Sequence, residues 1–123
     1  METIMINGKK YVQADTINCE PIQKEGLTYC IVRTYSAGVW MGWTDYDNAP
    51  LTNCEVLQAT RIWKWDGAFT LSNLAQEGTT EPKNCRFAVD VTRVKLNNVI
   101  EFLPVTSTAK TILDSVQREK NNV

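Results

Sequence analysis

The chain has 123 residues, with 13 basic and 14 acidic side chains and a formal net charge of −1. This length predicts a single domain over residues 1–123. The balanced charge argues against the strongly basic surface that duplex nucleic-acid binding requires. Because the sequence contains no histidine, a Ser-His-Asp triad, a histidine general base and a His-ligated metal are excluded. Catalysis by carboxylate, Lys, Tyr or Cys side chains is not.

The start of the chain does not read as a signal peptide, because Glu2 and the Lys9-Lys10 pair interrupt its apolar residues. No apolar run approaches the roughly 18 residues of a membrane span. We therefore expect a cytosolic protein without a membrane partner. The cysteines form no C-x-x-C pair and are predicted to be reduced core residues; they are Cys19, Cys30, Cys54 and Cys85.

The first half of the chain is typical of β-rich proteins. Asn7-Gly8 between two short runs predicts a hairpin, and residues 14–26 are expected to form a surface excursion. Residues 27–35 are rich in β-branched and aromatic side chains and predict a strand. After a break at 36–38, residues 39–44 predict its partner.

A longer extended segment is predicted over residues 55–65, with Arg61, Trp63 and Trp65 on one face. Residues 69–76 place apolar side chains at near-helical spacing and predict a short helix, ended by Gly78.

The last part of the chain combines extended and helical character. Residues 87–105 predict at least one strand around Ile100, with a break near Asn97-Asn98. Residues 106–120 predict a helix from an apolar stripe, formed by Ala109, Ile112, Leu113 and Val116. The prediction is an α+β fold: an antiparallel β-sheet core with a short middle helix and a C-terminal helix.

Tryptophan and arginine form the most informative pattern. The sequence places Trp40, Trp43, Trp63 and Trp65 in neighbouring predicted strands. Such rings can build a core, or they can stack on a base while an arginine binds phosphate, and the two roles can coexist. The candidate phosphate-binding arginines in this pattern are Arg33, Arg61, Arg86 and Arg93.

Four stretches together give a resemblance to a known family: residues 4–12, 29–43, 59–78 and 84–101. They resemble the phage Thoeris anti-defence proteins of the first type, and RIWKWDGA followed by LSNLA is the most specific part. The resemblance covers most of residues 4–105 and is weaker beyond Pro104.

This resemblance implies a sponge protein. Such proteins bind a cyclic ADP-ribose isomer made by bacterial TIR-domain enzymes and hold it without cleaving it, so that the Thoeris effector stays inactive. They need no cofactor, and they form homo-oligomers, dimers or hexamers, with the nucleotide at a subunit interface. Some members also bind cyclic di- or trinucleotides at a separate site. The implied location is the cytoplasm of the infected bacterial host.

The resemblance also implies ligand-binding residues. The family pocket has an aromatic residue after an Asn-Cys pair, which matches Phe87, and an asparagine ten residues later, which matches Asn97. Its arginine near the Trp-rich strand matches Arg61. Its basic residues on the C-terminal helix match Arg118 and, less closely, Lys110. Asp114 is acidic where the family pattern is basic.

Two other functions compete with sequestration. An enzyme that cleaves the same cyclic nucleotide would need a reactive group. Cys85 beside Lys83 and Arg86 is a candidate, but it lacks a histidine base. A non-catalytic protein–protein interaction module would need no nucleotide site.

Overall fold

The computed structural model describes residues 23–119. The predicted Asn7-Gly8 hairpin, most of the predicted surface excursion and Cys19 lie outside this range. The elements follow one another along the chain as β1 (Gln23–Lys24), β2 (Leu27–Thr34), β3 (Val39–Thr44), β4 (Cys54–Lys64), α1 (Leu71–Glu77), a 3₁₀ turn (Pro82–Asn84), β5 (Arg86–Phe87), β6 (Val91–Leu96), β7 (Val99–Pro104) and α2 (Ser107–Asp114). The predicted α+β fold with an antiparallel sheet, a middle helix and a C-terminal helix is confirmed.

The sheet is built around three long antiparallel strands, β2, β3 and β4. The outer side of β2 pairs with β1 at one end and with β7 along the rest. The outer side of β4 pairs with β6 along its first half and with β5 near its end. Strands β6 and β7 therefore lie on opposite outer edges, although they follow each other in sequence.

Only Asn97 and Asn98 join β6 to β7. In a flat sheet these outer strands would be separated by four strand spacings, about 19 Å. The three Cα–Cα steps from Leu96 to Val99 reach at most about 11 Å. The sheet must therefore curl until its edges meet, and Asn98 takes a positive φ of 58° in this turn. The predicted break at Asn97-Asn98 is confirmed. It lies between two strands, β6 and β7, in a region where at least one strand was predicted.

The curl gives the sheet two different faces. The inner face packs on itself, and its buried residues are Cys30, Val32, Cys54, Val56, Ala59, Leu96 and Val99. The other, helix-covered face packs under α1 and α2. Its buried residues are Tyr29, Ile31, Met41, Ile62, Leu74, Ala75, Cys85, Phe87, Val105, Ala109, Leu113 and Val116. The described cysteines Cys30, Cys54 and Cys85 are free and buried, as predicted.

A β-bulge determines which side chains at the end of β4 point to each face of the sheet. Val56 and Ala59 both point into the inner face although they are three residues apart. The pairing register with β3 shifts beside them, and Gln58 has a φ of 52°. The extra residue reverses the alternation of side chains. Ile62 therefore reaches the helix-covered face and Arg61 the inner-face side.

Helix α1 confirms its prediction and shows why it forms. Thr70 and Asn73 make a capping box, and Gly78 ends the helix with a φ of 77°. Phe69, which the sequence placed in this helix, precedes it and is 94% exposed. Trp65 was predicted to share a face with Arg61, and this is wrong. Strand β4 ends at Lys64, so Trp65 lies beyond the pleat and packs against the helix-side core.

The predicted C-terminal helix over residues 106–120 is too long, because α2 ends at Asp114. The Thr106 side chain caps its start by accepting a hydrogen bond from the Ala109 N–H. Beyond its end the chain turns back to the sheet, where the Glu119 N–H donates to the Phe87 carbonyl at 2.8 Å. Arg118 is thus placed on the segment that follows the helix, which corrects its predicted position.

Candidate functional site

The structure distributes the predicted ligand-binding residues over three places. Phe87 and Arg118 lie together on the helix-covered face, with Lys110 on the same side. Arg61 lies on the opposite side of the sheet. Asn97 lies in the turn between β6 and β7.

Phe87 occupies the centre of the helix-side core. Its side chain is fully buried, and the guanidinium carbon of Arg118 lies 5.4 Å from its ring centroid. In this conformation the ring has no exposed face on which a base could stack.

Arg118 is fully engaged by the protein. Its Nε donates to Asp90 at 2.8 Å, and its Nη1 donates to the carbonyls of Leu113 and Val116 at 3.2 and 2.7 Å. Burial would raise the pKa of Asp90, but hydrogen bonds from Thr60 and Arg118, with the Arg118 charge, outweigh this and hold it below its ordinary value. These contacts satisfy the end of α2 and attach the segment that follows it, residues 115–119, to the sheet.

Lys110 is similarly occupied. Its ammonium lies 4.6 Å from the ring centroid of Tyr29 and forms an i,i+4 ion pair with Asp114 at 2.7 Å. Burial and the Asp114 charge raise the pKa of the Tyr29 hydroxyl. Asp114, which is acidic where the resemblance implies a basic residue, thus neutralises the charge of Lys110.

Asn97 has a structural partner in this conformation. Its side-chain oxygen accepts a hydrogen bond from the Asn53 N–H at 2.8 Å, which ties the β6–β7 turn to the start of β4. Asn97 as a whole is exposed.

Arg61 has a different environment. Its guanidinium carbon lies 5.7 Å from the ring centroid of Trp40 and 5.4 Å from that of Trp63. The indole N–H of Trp40 donates to the Ala37 carbonyl at 3.0 Å, which fixes that ring. Trp63 is 63% exposed. Gly38, in the turn after β2, lies against the Arg61 guanidinium. We call Gly38, Trp40, Arg61 and Trp63 the Arg61 platform.

Arg61 also differs from the remaining arginines in its charge partners. The other four arginines of the chain each form an ion pair with a carboxylate: Arg33 with Glu101, Arg86 with Glu119, Arg93 with Glu55 and Arg118 with Asp90. No carboxylate among residues 23–119 pairs with Arg61. A guanidinium held between two rings, without a counter-charge from this part of the chain, is suited to an anion.

The sequence marked the Trp-rich strand but did not separate its rings by role. Trp43 and Trp65 pack against the helix-side core and Trp40 against the inner core, which leaves Trp63 as the exposed ring. Gly38 was not predicted as a site residue. Its position in the break after β2 was visible, but its contact with β4 was not.

A concave region separate from the Arg61 platform lies between residues 82–86 and 115–119. It is an open groove of about 1040 Å³ with mostly polar walls. Arg86 and Glu119 form an ion pair within it at 2.7 Å, and Arg118 is held by Asp90. These ion pairs compensate the charges of Arg86 and Arg118, and Lys83 is the third cation of the groove.

Two further properties concern the described residues only. In the range 23–119 no group of three or more His, Cys, Asp or Glu side chains is placed to hold a metal ion. The helices in that range are too short or too polar to cross a bilayer.

Comparison with known proteins gives one family. Residues 27–113 match the model of the domain of unknown function DUF6948, from the first residue of β2 to the last turn of α2. No curated protein and no solved structure matches the chain. Since the match covers more than half of the sequence, the chain belongs to the DUF6948 family.

Proposed function

We propose that this protein binds a TIR-produced cyclic ADP-ribose isomer and sequesters it without degrading it. The observation that carries the proposal is the Arg61 guanidinium between Trp40 and Trp63 without a carboxylate partner among residues 23–119. The resemblance over residues 4–105 supplies the ligand class.

The Arg61 platform matches the two chemical parts of such a ligand. A purine is flat and apolar on its faces, and the exposed indole of Trp63 can stack on it, a contact that contributes about 1–3 kcal/mol. The diphosphate is anionic, and a hydrogen bond from a charged donor such as Arg61 contributes about 1.5–3 kcal/mol. Binding in this way needs no proton transfer, so the absence of histidine does not hinder it.

The proposal includes a homo-oligomer, a dimer or a hexamer. The platform is an open surface, whereas small-molecule sites cover about 70–90% of their ligand. A second copy of the chain would supply the missing cover and place the nucleotide at a subunit interface.

Cyclic di- or trinucleotides are a second ligand class within the proposal. Asp114 stands where the resemblance implies a second basic residue for their separate site, and it pairs with Lys110. We therefore expect this chain to bind such nucleotides more weakly than the cyclic ADP-ribose isomer. In the cytoplasm of an infected bacterium, sequestration would prevent activation of Thoeris immunity.

A release experiment separates the candidate functions. The protein is incubated with a purified cyclic ADP-ribose isomer, free ligand is measured after ultrafiltration, and the retained protein is heat-denatured and assayed for nucleotide. Sequestration predicts depletion before heating and stoichiometric recovery of intact ligand after it. Recovery of a cleaved product instead would support the enzyme. No depletion would overturn both and leave the interaction module.

Arg61→Ala is the variant that links the function to the platform. We expect the Kd to rise at least about tenfold, which corresponds to the loss of one charged hydrogen bond. Arg93→Ala is the matched control, because Arg93 is an exposed strand arginine that already has a carboxylate partner. Equal affinities for the two variants would place the ligand elsewhere on the molecule.

A further inference from the structure

Gly38 lies in the turn between β2 and β3, and this turn is held rigidly. The Gly38 carbonyl accepts hydrogen bonds from the Thr34 N–H at 3.2 Å and the Thr34 hydroxyl at 2.8 Å. The Ala37 N–H in turn donates to the Thr34 hydroxyl oxygen at 2.8 Å. Gly38 has a φ of +94°, a conformation that glycine adopts without strain.

The α-carbon of Gly38 faces the end of the Arg61 side chain. A Cβ at this position would lie 2.8 Å from both Nε and Nη2 and 3.1 Å from Cζ. Because the two nitrogens would be closer than the carbon between them, Gly38 faces their shared edge and not the flat side of the guanidinium. Nη1 is then directed away from the turn.

We propose that Gly38 is a positioning residue for Arg61, and this inference rests on the proposed function. The absence of a side chain at Gly38 lets the Nε–Nη2 edge lie against the turn, while Trp40 and Trp63 flank the group. The guanidinium is thereby held with its Nη1 end available to an anionic ligand, at a smaller entropic cost on binding. Any side chain at position 38 would push this flexible group out of its place, in addition to the strain that the positive φ imposes on a residue with a Cβ.

Gly38→Ala tests the inference, and Gly26→Ala is its matched control. Gly26 has a comparable φ of +82°, but a Cβ there meets nothing within 4 Å, so it reproduces the backbone strain alone. We expect Gly38→Ala to raise the Kd for a purified cyclic ADP-ribose isomer by about tenfold relative to Gly26→Ala. In an Arg61→Ala background the same change should add no further loss. Equal affinities for the two glycine variants, or a full loss in the Arg61→Ala background, would overturn the inference.

A second measurement needs no ligand and separates this inference from the proposed function. The rate at which phenylglyoxal modifies Arg61 is followed by mass spectrometry in the free protein. We expect Gly38→Ala to accelerate modification several-fold over Gly26→Ala, whether or not the protein binds nucleotide. If Gly38→Ala does not fold, Gly38→Asn replaces it, since asparagine tolerates positive φ and still carries a Cβ. An unchanged rate at Arg61 in a folded variant contradicts the positioning role.

Discussion

The two faces of the sheet each place an arginine against an aromatic ring, yet the two arginines differ in what surrounds them. On the helix-covered face Arg118 lies 5.4 Å from the Phe87 ring and is paired with Asp90. On the opposite side Arg61 lies 5.4 Å from the Trp63 ring with no carboxylate partner in the described range. The ring distance is the same, so it does not identify a ligand site. The two environments differ in the exposure of the ring and in the compensation of the arginine charge.

Removing the Phe87 ring should have the largest effect of any change that separates the two faces. Phe87→Ala leaves a cavity in a fully buried position, and we expect a loss of about 3–5 kcal/mol in the free energy of unfolding. Phe69→Ala, at a 94% exposed ring, should change it by less than about 0.5 kcal/mol. Urea unfolding followed by circular dichroism measures both. A stable Phe87→Ala variant that has lost nucleotide binding would instead make Phe87 a ligand residue.

Replacing each of the two arginines by alanine should give the next largest effect. Arg118→Ala removes one of the donors to Asp90 and the side-chain donor to two carbonyls, and we expect a loss of roughly 2 kcal/mol in the free energy of unfolding. Arg61→Ala removes only stacking on the indoles and should cost about 0.5–1 kcal/mol. Thermal and urea unfolding of both variants test this order. A larger loss for Arg61→Ala would mean that the platform is part of the structural core.

The Asp90 contact makes stability depend on pH on the helix-covered face. Because the folded state lowers the pKa of Asp90 from 3.8, its contribution is fully present above that value and is lost as the pH falls through the folded pKa. Since Asp90 is more than half exposed, we expect only about 0.5–1 kcal/mol. Asp90→Asn should remove this part of the acid destabilisation below about pH 4. Superimposable pH–stability curves for Asp90→Asn and the unchanged protein would contradict it.

The reactivity of the buried thiols tests whether a reagent can reach the inner face. In the native protein we expect almost no modification, which is the smallest of these effects. Burial raises the pKa of the Cys30 thiol to about 12 and raises that of Cys54 as well. Iodoacetamide at pH 8 should therefore leave both residues unmodified in the folded state and modify them in urea. Peptide mapping identifies each site, and modification of Cys30 at its unfolded rate would show that the curl opens.

Local pattern was sufficient for most of the elements. The β-branched residues of β2, the Thr70 and Gly78 caps of α1 and the stripe through Ala109 and Leu113 act over a few residues, so their sequence predicts them. The end of α2 was missed because it depends on Arg118 reaching Leu113 and Val116, a tertiary contact.

The candidate site was harder to predict, because one β-bulge rearranges it. Continued alternation from Val56 would turn Arg61 toward the helix-covered face, where Phe87 lies. The bulge at Gln58 turns it to the other side. Charge compensation was equally hidden, since the partner of each arginine comes from a different strand or loop. The sequence drew attention to the Trp-rich strand that carries Arg61 and Trp63, but the separation of these residues from Phe87 and Arg118 required the fold.

The Asn97-Asn98 turn also has a consequence for how the chain acquires its structure. β7 is the last strand of the described range to leave the ribosome, yet it pairs with β2 near the start of that range, where Cys30 is opposite Pro104. Such distant pairing is slow to form and leaves the inner core incomplete until it does. A nascent chain that ends before residue 99 would expose Cys30 and Val32 to solvent. We therefore expect the inner core to be completed only after nearly the whole family domain has been synthesised.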